Sequence, residues 1–167
     1  MISSVTPRTL KVVAALVLTL SMAACAKDPN DPNALGAGGV GAGGVARPGS
    51  AQDFAQNVGD RVFFESDSSD LTPTAVATLD RQAQWLQRYR RPVLIEGHAD
   101  ERGTREYNFS LGARRGQTVR EYLASRGVQN IRTVSYGKER PVAVCNDISC
   151  WSQNRRAVTV VEGGAGS

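Results

Sequence analysis

Two side chains of opposite charge, Asp100 and Arg115, lie in the segment EGHADERGTREYNFSLGARR, residues 96–115. Asp100 follows the apolar run Val93-Leu94-Ile95, and Arg115 falls within an apolar stripe of the helix predicted next. At 100° per residue that stripe consists of Leu111, Arg115, Thr118, Val119 and Tyr122. An arginine among apolar side chains is costly unless its charge is matched. Its partner is therefore Asp100, an anionic ligand, or both.

Further short motifs accompany this segment in order along the chain. They are Val62-Phe63-Phe64 with Asp67, Tyr107-Asn108, Leu111-Gly112, Arg114-Arg115, Val134-Ser135-Tyr136-Gly137 and Asn154-Arg155-Arg156-Ala157-Val158. Over roughly residues 55–162 the motifs resemble the OmpA-like peptidoglycan-binding domain family. The resemblance implies an α+β fold and non-covalent, non-enzymatic binding to the bacterial cell wall.

The resemblance also implies a site for diaminopimelate, whose side chain ends in an ammonium and a carboxylate on one carbon. Asp100 and Arg115 match the family's aspartate and arginine that bind these groups, and arginine can hold a carboxylate bidentately. The alternative is an internal salt bridge between them. Asp67 matches a loop aspartate of the pocket or only stabilises a turn. Asn108 caps a turn or touches the ligand, and Leu111 forms a pocket wall and part of the core.

His98, the only histidine, lies two residues before Asp100. A catalytic role would need a nucleophile or a second base within reach. Neither a Gly-x-Ser-x-Gly motif nor a metal-ligand cluster accompanies it. We therefore expect no catalytic residue, no metal and no cofactor. His98 is expected to be structural, with pocket lining as the alternative.

Charge argues against nucleic acid as a partner. The chain carries a formal charge of +4, and removal of Arg8 and Lys11 with the first 24 residues leaves about +2. No segment places Lys and Arg on a polar helix with interleaved aromatic residues. The short run of Arg88, Arg90 and Arg91 complements the dipole at a predicted helix end.

Residues 1–24 have the plan of a secretory signal peptide, in which two basic residues precede the apolar run 12–20. That run is short for a transmembrane span. Residues 22–25, MAAC, resemble a lipobox, with Met22 in place of the usual leucine. We expect a lipidated Cys25 and, because Ala26 rather than Asp follows it, an outer-membrane anchor with the domain in the periplasm. An ordinary signal peptide is the alternative.

Two further cysteines, Cys145 and Cys150, have four residues between them. In an exported protein this pair predicts a disulfide, which constrains the unfolded chain by roughly 2 kcal/mol. A redox-active pair normally has two intervening residues. A zinc site would need more ligands than two cysteines and one distant histidine.

Residues 25–50 form a linker rich in Gly, Ala, Asn and Pro, with GAGGV repeated at residues 36–45. A flexible coil of this length has an r.m.s. span of about 28 Å and extends to about 85 Å. It either lets the domain, residues 51–162, reach away from its anchor or is tolerated disorder. Residues 163–167 read as a flexible tail.

Hydrophobic periodicity predicts strands at 61–64, 93–98, 131–135 and 157–161 and helices at 72–91 and 104–126, with a short helix near Trp151. Thr72 and Pro73 suit a helix start, and Gly127 suits a helix end. Gly97, Gly103 and Gly112 are expected to permit close backbone approach. The β-α-β-α-β order plus a final strand predicts an α+β two-layer sandwich, a mixed sheet with helices on one face.

The main functional expectation is a non-enzymatic tether between the outer membrane and peptidoglycan. By resemblance, the protein also binds a TolB-like propeller protein and other Tol components, and it supports envelope integrity and cell division. One alternative is a periplasmic protein–protein adaptor with weak cell-wall affinity, and another is a cell-wall hydrolase. A flagellar stator role is disfavoured, because that branch needs a transmembrane helix.

Overall fold

The computed structural model of this chain describes residues 46–163. The predicted signal peptide, the lipidation site Cys25, most of the linker and residues 164–167 lie outside the described residues. The described part contains four strands: β1 (Arg61–Phe63), β2 (Val93–His98), β3 (Ile131–Gly137) and β4 (Arg156–Val161). It also contains α1 (Ala51–Asp53), continued by a π-helical turn (Phe54–Val58), α2 (Pro73–Tyr89), α3 (Arg105–Ser125) and α4 (Ile148–Asn154).

The two long helices begin where their caps predict. The Thr72 hydroxyl accepts from the Ala75 N–H at 3.1 Å, and the Thr104 hydroxyl accepts from the Tyr107 N–H at 3.2 Å. After α3, Gly127 adopts the left-handed conformation with φ 83°, which favours glycine. The predictions of α2 and α3 are therefore confirmed.

The sheet is mixed, with strand order β1-β4-β2-β3. β4 lies antiparallel between β1 and β2, and β3 runs parallel to β2. The apolar run predicts a central position for β2, and the sheet confirms it. Val93 and Ile95 on this strand are fully buried. The carboxyl end of β2 therefore projects from the middle of the sheet toward α3.

The core lies between the sheet and α2 with α3. Leu79, Ala83 and Leu86 from α2 meet Val119 and Leu123 from α3 in one cluster of buried side chains. Leu79, Val119 and Leu123 retain no exposed surface. The α+β two-layer prediction is thus confirmed, and none of the helices within residues 46–163 is long and apolar enough to cross a membrane.

Glycines bring α3 unusually close to β2. A Cβ on Gly97 would lie 1.9 Å from the Gly112 carbonyl oxygen, and a Cβ on Gly112 would lie 2.9 Å from the Gly97 oxygen. Backbone atoms cannot move away cheaply, so both positions require glycine at this crossing. The predicted close approach at Gly97 and Gly112 is confirmed. It fixes the position of Arg115, one helical turn beyond Gly112, beside the end of β2.

Candidate functional site

Asp100 lies on the turn that joins β2 to α3. The Ala99 N–H donates to the Gly137 carbonyl at 2.8 Å, which holds the turn against the end of β3. The Thr104 cap starts α3 four residues after Asp100. Asp100 itself is buried, with 7% of its surface exposed. Strand end, turn and helix cap therefore fix the carboxylate in one place.

Arg102 binds both oxygens of the Asp100 carboxylate. Its Nε donates to Oδ1 at 3.1 Å and its Nη2 to Oδ2 at 2.7 Å. The Arg102 N–H also donates to Oδ1, at 3.2 Å, and Arg155 Nη1 lies 3.5 Å from Oδ2. Burial alone would raise the pKa of Asp100, but the hydrogen bonds and charge of Arg102, with the charge of Arg155, hold that pKa below its usual value. Asp100 is consequently an anion at neutral pH.

Arg115 is fully buried and donates to three backbone carbonyls. Its Nε donates to Ser68 at 2.8 Å, its Nη1 to His98 at 2.9 Å and its Nη2 to Glu65 at 3.0 Å. Burial lowers its pKa to about 10, which nearby Asp100 opposes, so it stays charged at neutral pH. Among the described residues Arg115 forms no ion pair with Asp100. The Asp100 carboxylate is bound by Arg102 instead. The internal salt bridge between Asp100 and Arg115 is therefore absent from the described residues.

A cavity of about 240 Å³ opens beside Asp100, between the β1–α2 loop, the β2–α3 turn and the first turns of α3. Its lining consists of Ser66, Asp67, Asp100, Arg102, Gly103, Tyr107, Asn108 and Leu111. Four of the five residues proposed from the sequence therefore share one cavity. Arg115 is not part of this lining, but it binds the carbonyls of Glu65 and Ser68 in the adjacent loop.

Asp67 is exposed and forms the outer wall of the cavity. Its backbone is left-handed, with φ 56°, and its carboxylate accepts a hydrogen bond from the Tyr107 hydroxyl. The side chain thus joins the β1–α2 loop to α3. Asp67 combines the two roles considered for it, since it shapes the turn and also lines the cavity.

Asn108 and Leu111 form the inner wall. The Asn108 side-chain amide donates to the carbonyls of Arg102 at 2.7 Å and Thr104 at 3.0 Å, so Asn108 caps the turn as one alternative expected. Both residues are buried, at 2% and 5% exposure, and both line the cavity. Asn108 and Leu111 therefore form the buried inner side of the charged cavity.

His98 lies away from the cavity lining. Its ring is buried and sits 5.6 Å from the Tyr136 ring, measured between centroids. Burial, followed by the charges of Arg156, Arg140 and Arg61, lowers its pKa to about 4, so the ring is neutral at pH 7. Its nearest carboxylate, on Glu96, is 3.6 Å away. This placement agrees with a structural role rather than pocket lining.

The segment Asn154-Arg155-Arg156 is buried and serves the fold. Asn154 Oδ1 accepts from the Val142 N–H at 2.8 Å. Arg155 Nε donates to the Phe64 carbonyl at 3.0 Å, and Arg156 Nη2 donates to the Arg140 carbonyl at 3.1 Å. Only Arg155, through its 3.5 Å approach to Asp100, acts on the candidate site.

Ser135 and Lys138 have the Ser-x-x-Lys spacing of some serine acyltransferases, but their side chains serve other contacts. The Ser135 hydroxyl donates to the Phe109 carbonyl at 2.7 Å. Lys138 Nζ donates to the carbonyls of Gly103 at 2.7 Å and Glu101 at 3.2 Å. Residues 46–163 also contain no cluster of three or more His, Cys, Asp or Glu side chains suited to a metal.

Sequence reasoning missed Arg102 and Trp151 as parts of the site. Arg102 is half-exposed and stacks on the Trp151 indole, with 4.4 Å from the guanidinium carbon to the ring centroid. The sequence does contain a signal for Arg102, because a basic residue two positions after Asp100 in a turn can bind that carboxylate. Nothing in the sequence indicates that Trp151, which lies 49 residues further on, reaches this turn. Cys150, next to Trp151, forms a disulfide with Cys145.

Comparison with known proteins gives concordant matches. The OmpA family matches residues 63–156. A protein of Rhizobium meliloti named peptidoglycan-associated lipoprotein is 64% identical over 160 residues, which are 93% of this chain and 89% of that protein. The crystal structure of the peptidoglycan-associated lipoprotein from Burkholderia pseudomallei is 38% identical with a TM-score of 0.63, and it covers 68% of this chain and 100% of that chain.

A more distant match shows the fold alone. The C-terminal domain of Helicobacter pylori MotB is 22% identical with a TM-score of 0.59, and covers 64% of this chain and 86% of that chain. The Burkholderia chain is matched along its whole length and corresponds to 68% of this chain, so a chain of about that extent forms the fold.

Proposed function

The chain belongs to the OmpA family, and we propose that it is a peptidoglycan-associated lipoprotein of the outer membrane that binds the cell wall non-covalently. The name of the relatives, peptidoglycan-associated lipoprotein, suggests both peptidoglycan as the ligand and a covalently attached lipid. The lipid would be carried by Cys25, and the domain would face the periplasm. The proposal does not include enzymatic activity, because the candidate site supports binding of a charged group rather than bond cleavage.

The observation that carries the proposal is an anionic Asp100 and the Arg102 guanidinium in one cavity, with Arg115 directly adjacent. Diaminopimelate presents an ammonium and a carboxylate on one carbon. Asp100 accepts the ammonium, because its pKa keeps it ionised. The arginines meet the carboxylate with charge-assisted hydrogen bonds, which are stronger than neutral ones. Each charged group of the diaminopimelate zwitterion thus has an oppositely charged partner in the candidate site.

Arg115 supports this clamp chiefly through the loop that it holds. A guanidinium has five N–H groups, and three of those on Arg115 are directed at backbone carbonyls. A ligand carboxylate would reach the other two only if the β1–α2 loop moved, because the Arg115 side chain has no exposed surface and does not line the cavity. Two of the three carbonyl bonds, to Glu65 and Ser68, keep the β1–α2 loop, and with it Asp67, at the rim of the cavity.

The position of Gly49, two residues before α1, supports a tether. Gly49 lies beside Arg91, whose Nη1 donates to the Gly49 carbonyl at 3.4 Å, and Arg91 immediately precedes Pro92 and β2. The cavity lies past the opposite end of β2. Six strand residues span roughly 17 Å. A lipid anchor upstream and a wall ligand in the cavity would therefore pull on opposite ends of the domain.

Partners in the Tol–Pal system belong to the same proposal. The domain would bind a TolB-like propeller protein in competition with peptidoglycan, and would join other Tol components in supporting envelope integrity and division. The alternative is an adaptor whose main partner is a protein. The exposed apolar side chains of Val142, Val144 and Ile148 favour that alternative.

Sedimentation with insoluble peptidoglycan tests the proposal on residues 46–167. Asp100→Asn keeps the size of the side chain but removes its charge, and we expect at least about tenfold weaker binding, the value of a charge-assisted hydrogen bond. Glu106→Gln is the matched control, because Glu106 is exposed near the site but does not line the cavity. Circular dichroism would establish that each variant is folded.

Two results would contradict the clamp. Wild-type protein that stays in the supernatant would remove peptidoglycan as the ligand. Asp100→Asn protein that pellets like wild type would show that Asp100 does not hold the ammonium, and the adaptor alternative would then be preferred.

A further inference from the structure

Arg102 is held from three sides in the site proposed above. One edge of its guanidinium binds Asp100, and Nη2 also donates to the Ser66 hydroxyl at 2.7 Å. Its flat face lies on the Trp151 indole at 4.4 Å. The three contacts come from the β2–α3 turn, the β1–α2 loop and α4. Arg102 therefore joins every loop around the cavity to α4.

Trp151 also holds the residue before Arg102. Its indole N–H donates to the Glu101 carboxylate. Glu101, Arg102 and Gly103 are all exposed, so the turn has few apolar contacts of its own. Lys138 and Asn108 bind the backbone carbonyls of this turn, whereas Trp151 contacts its side chains. Trp151 is thus placed to fix the orientation of the Arg102 guanidinium.

The disulfide in turn holds Trp151. α4 has only seven residues, Ile148–Asn154, and so short a helix is unstable without external contacts. Two contacts hold its amino end. The Asp147 carboxylate caps the helix by accepting from the Ser149 N–H at 2.8 Å, and Cys150 forms the disulfide with Cys145. Cys150 is buried and directly precedes Trp151, whereas Cys145 is exposed to solvent.

We propose that Trp151 is a positioning residue for the Asp100–Arg102 pair, and that the Cys145–Cys150 disulfide keeps it in place. The inference rests on the proposed function, since the pair is the part of the cavity that recognises the zwitterion. When the disulfide opens, the first turn of α4 loosens and the indole leaves Arg102. The guanidinium then samples other rotamers, and a ligand must reorder it on binding.

The test measures affinity by calorimetry for one probe, a soluble muropeptide whose stem peptide ends in diaminopimelate. The protein is residues 46–167, in which Cys145 and Cys150 are the only cysteines. An added dithiol supplies two electrons and two protons, giving two cysteine thiols and a cyclic disulfide of the reagent. We expect reduction to weaken binding about two- to fivefold, the value of an exposed cation–π contact.

Variants separate the effect of opening the disulfide from the effect of losing the Trp151–Arg102 contact. Cys145→Ser/Cys150→Ser should bind like reduced wild type and should not respond to the dithiol. Trp151→Leu should show the same weakening, whereas Trp151→Phe, which keeps a ring under Arg102, should recover most of the affinity. Ile148→Ser is the matched control, because Ile148 is an exposed residue of the same helix and should bind like wild type.

An NMR signal distinguishes positioning from general stability. The Arg102 Hε resonance should be shifted upfield by the indole ring in oxidised wild type, and should move toward its ordinary value on reduction and in Trp151→Leu. Equal affinity of oxidised, reduced and Trp151→Leu protein, or an Arg102 resonance that does not change, would overturn this inference alone. Absence of any binding by oxidised wild type would overturn the proposed function with it.

Discussion

Arg115 shows how a charge can be buried without a carboxylate partner. Its guanidinium has no exposed surface and is neutralised only partly, by the dipoles of the Glu65, Ser68 and His98 carbonyls. Without the guanidinium, the Ser68 and His98 carbonyls would lose this donor, whereas the Glu65 carbonyl would keep the Ser68 N–H at 3.3 Å. A buried polar group without a partner costs about 1–3 kcal/mol. The residue is therefore structural as well as a candidate ligand contact.

We predict that Arg115→Met lowers the free energy of unfolding by about 2 kcal/mol or more, because the Ser68 and His98 carbonyls lose the guanidinium donor. Urea denaturation of residues 46–167 measures this. Arg114→Met is the matched control, since Arg114 is an exposed neighbour on α3 and should change stability by less than about 0.5 kcal/mol. If both variants were equally stable, the three carbonyl contacts would carry little of the fold's stability.

Substitution of Arg115 alters the fold and the candidate site together. Loss of peptidoglycan binding in a destabilised Arg115 variant would not separate a lost ligand contact from a displaced β1–α2 loop. Asp100→Asn is the milder change, because it retains one oxygen for Arg102 and loses only the second oxygen that Arg102 binds. The decisive charge substitution at this site is consequently at Asp100.

At the scale of elements, the crossing of β2 and α3 determines the site. Gly97 and Gly112 let the two backbones touch, which brings Arg115 beside the end of β2. Gly116 lies in the same row of α3, but a Cβ there would meet its nearest atom at 3.8 Å, an ordinary contact distance. The three glycines therefore differ in what a methyl group would do.

We predict opposite signs for Gly97→Ala and Gly116→Ala. Gly97→Ala forces α3 away from β2 and should cost about 1–3 kcal/mol, as overpacked sites do. Gly116→Ala fits the available space and should add about 1 kcal/mol through helix propensity. Thermal unfolding of the two variants against wild type decides this. Destabilisation by Gly116→Ala would mean that the helix is packed more tightly there than its 3.8 Å clearance indicates.

The elements were largely predictable because their signals are local. Thr72, Thr104 and Gly127 mark helix ends through their own side chains or backbone, and the apolar run Val93–Ile95 marks a central strand. The first helical turn, at Ala51–Asp53, also has a local cap, since the Ser50 hydroxyl accepts from the Asp53 N–H at 3.1 Å, but its three residues form no apolar stripe. It is held as well by contacts distant in sequence, such as the bond that the Trp85 indole N–H donates to Asp53 at 2.8 Å.

The site was predictable only in part, for the same reason. Asp67, Asp100, Asn108 and Leu111 meet in one cavity because strand order and helix phase bring them together. The partners of Arg115 are backbone carbonyls, which leave no trace in residue type. The stacking of Trp151 on Arg102 depends on how α4 folds back, which no local pattern specifies.

For the whole molecule, the tether predicts that anchor and wall contact can be lost separately. Peptidoglycan fragments carrying a fluorescent label would be mixed with liposomes bearing the lipidated full chain and floated on a density gradient. Wild type should carry the label to the top. Cys25→Ser protein should bind the fragments yet leave them at the bottom, whereas Asp100→Asn protein should float without the label.

Loss of the lipid anchor in Cys25→Ser and loss of wall binding in Asp100→Asn have different physical causes. Neither contact should compensate for loss of the other. Acyl chains contribute about 0.8 kcal/mol per buried methylene to membrane binding, and the cavity contributes nothing to that term. In the proposed tether, Asp100 holds the wall ligand past the end of β2 opposite to Gly49 and Arg91, and it takes no part in the lipid anchor. Flotation of labelled peptidoglycan by Cys25→Ser protein would contradict a lipid tether at that cysteine. Flotation by Asp100→Asn protein would instead place the wall contact elsewhere on the domain.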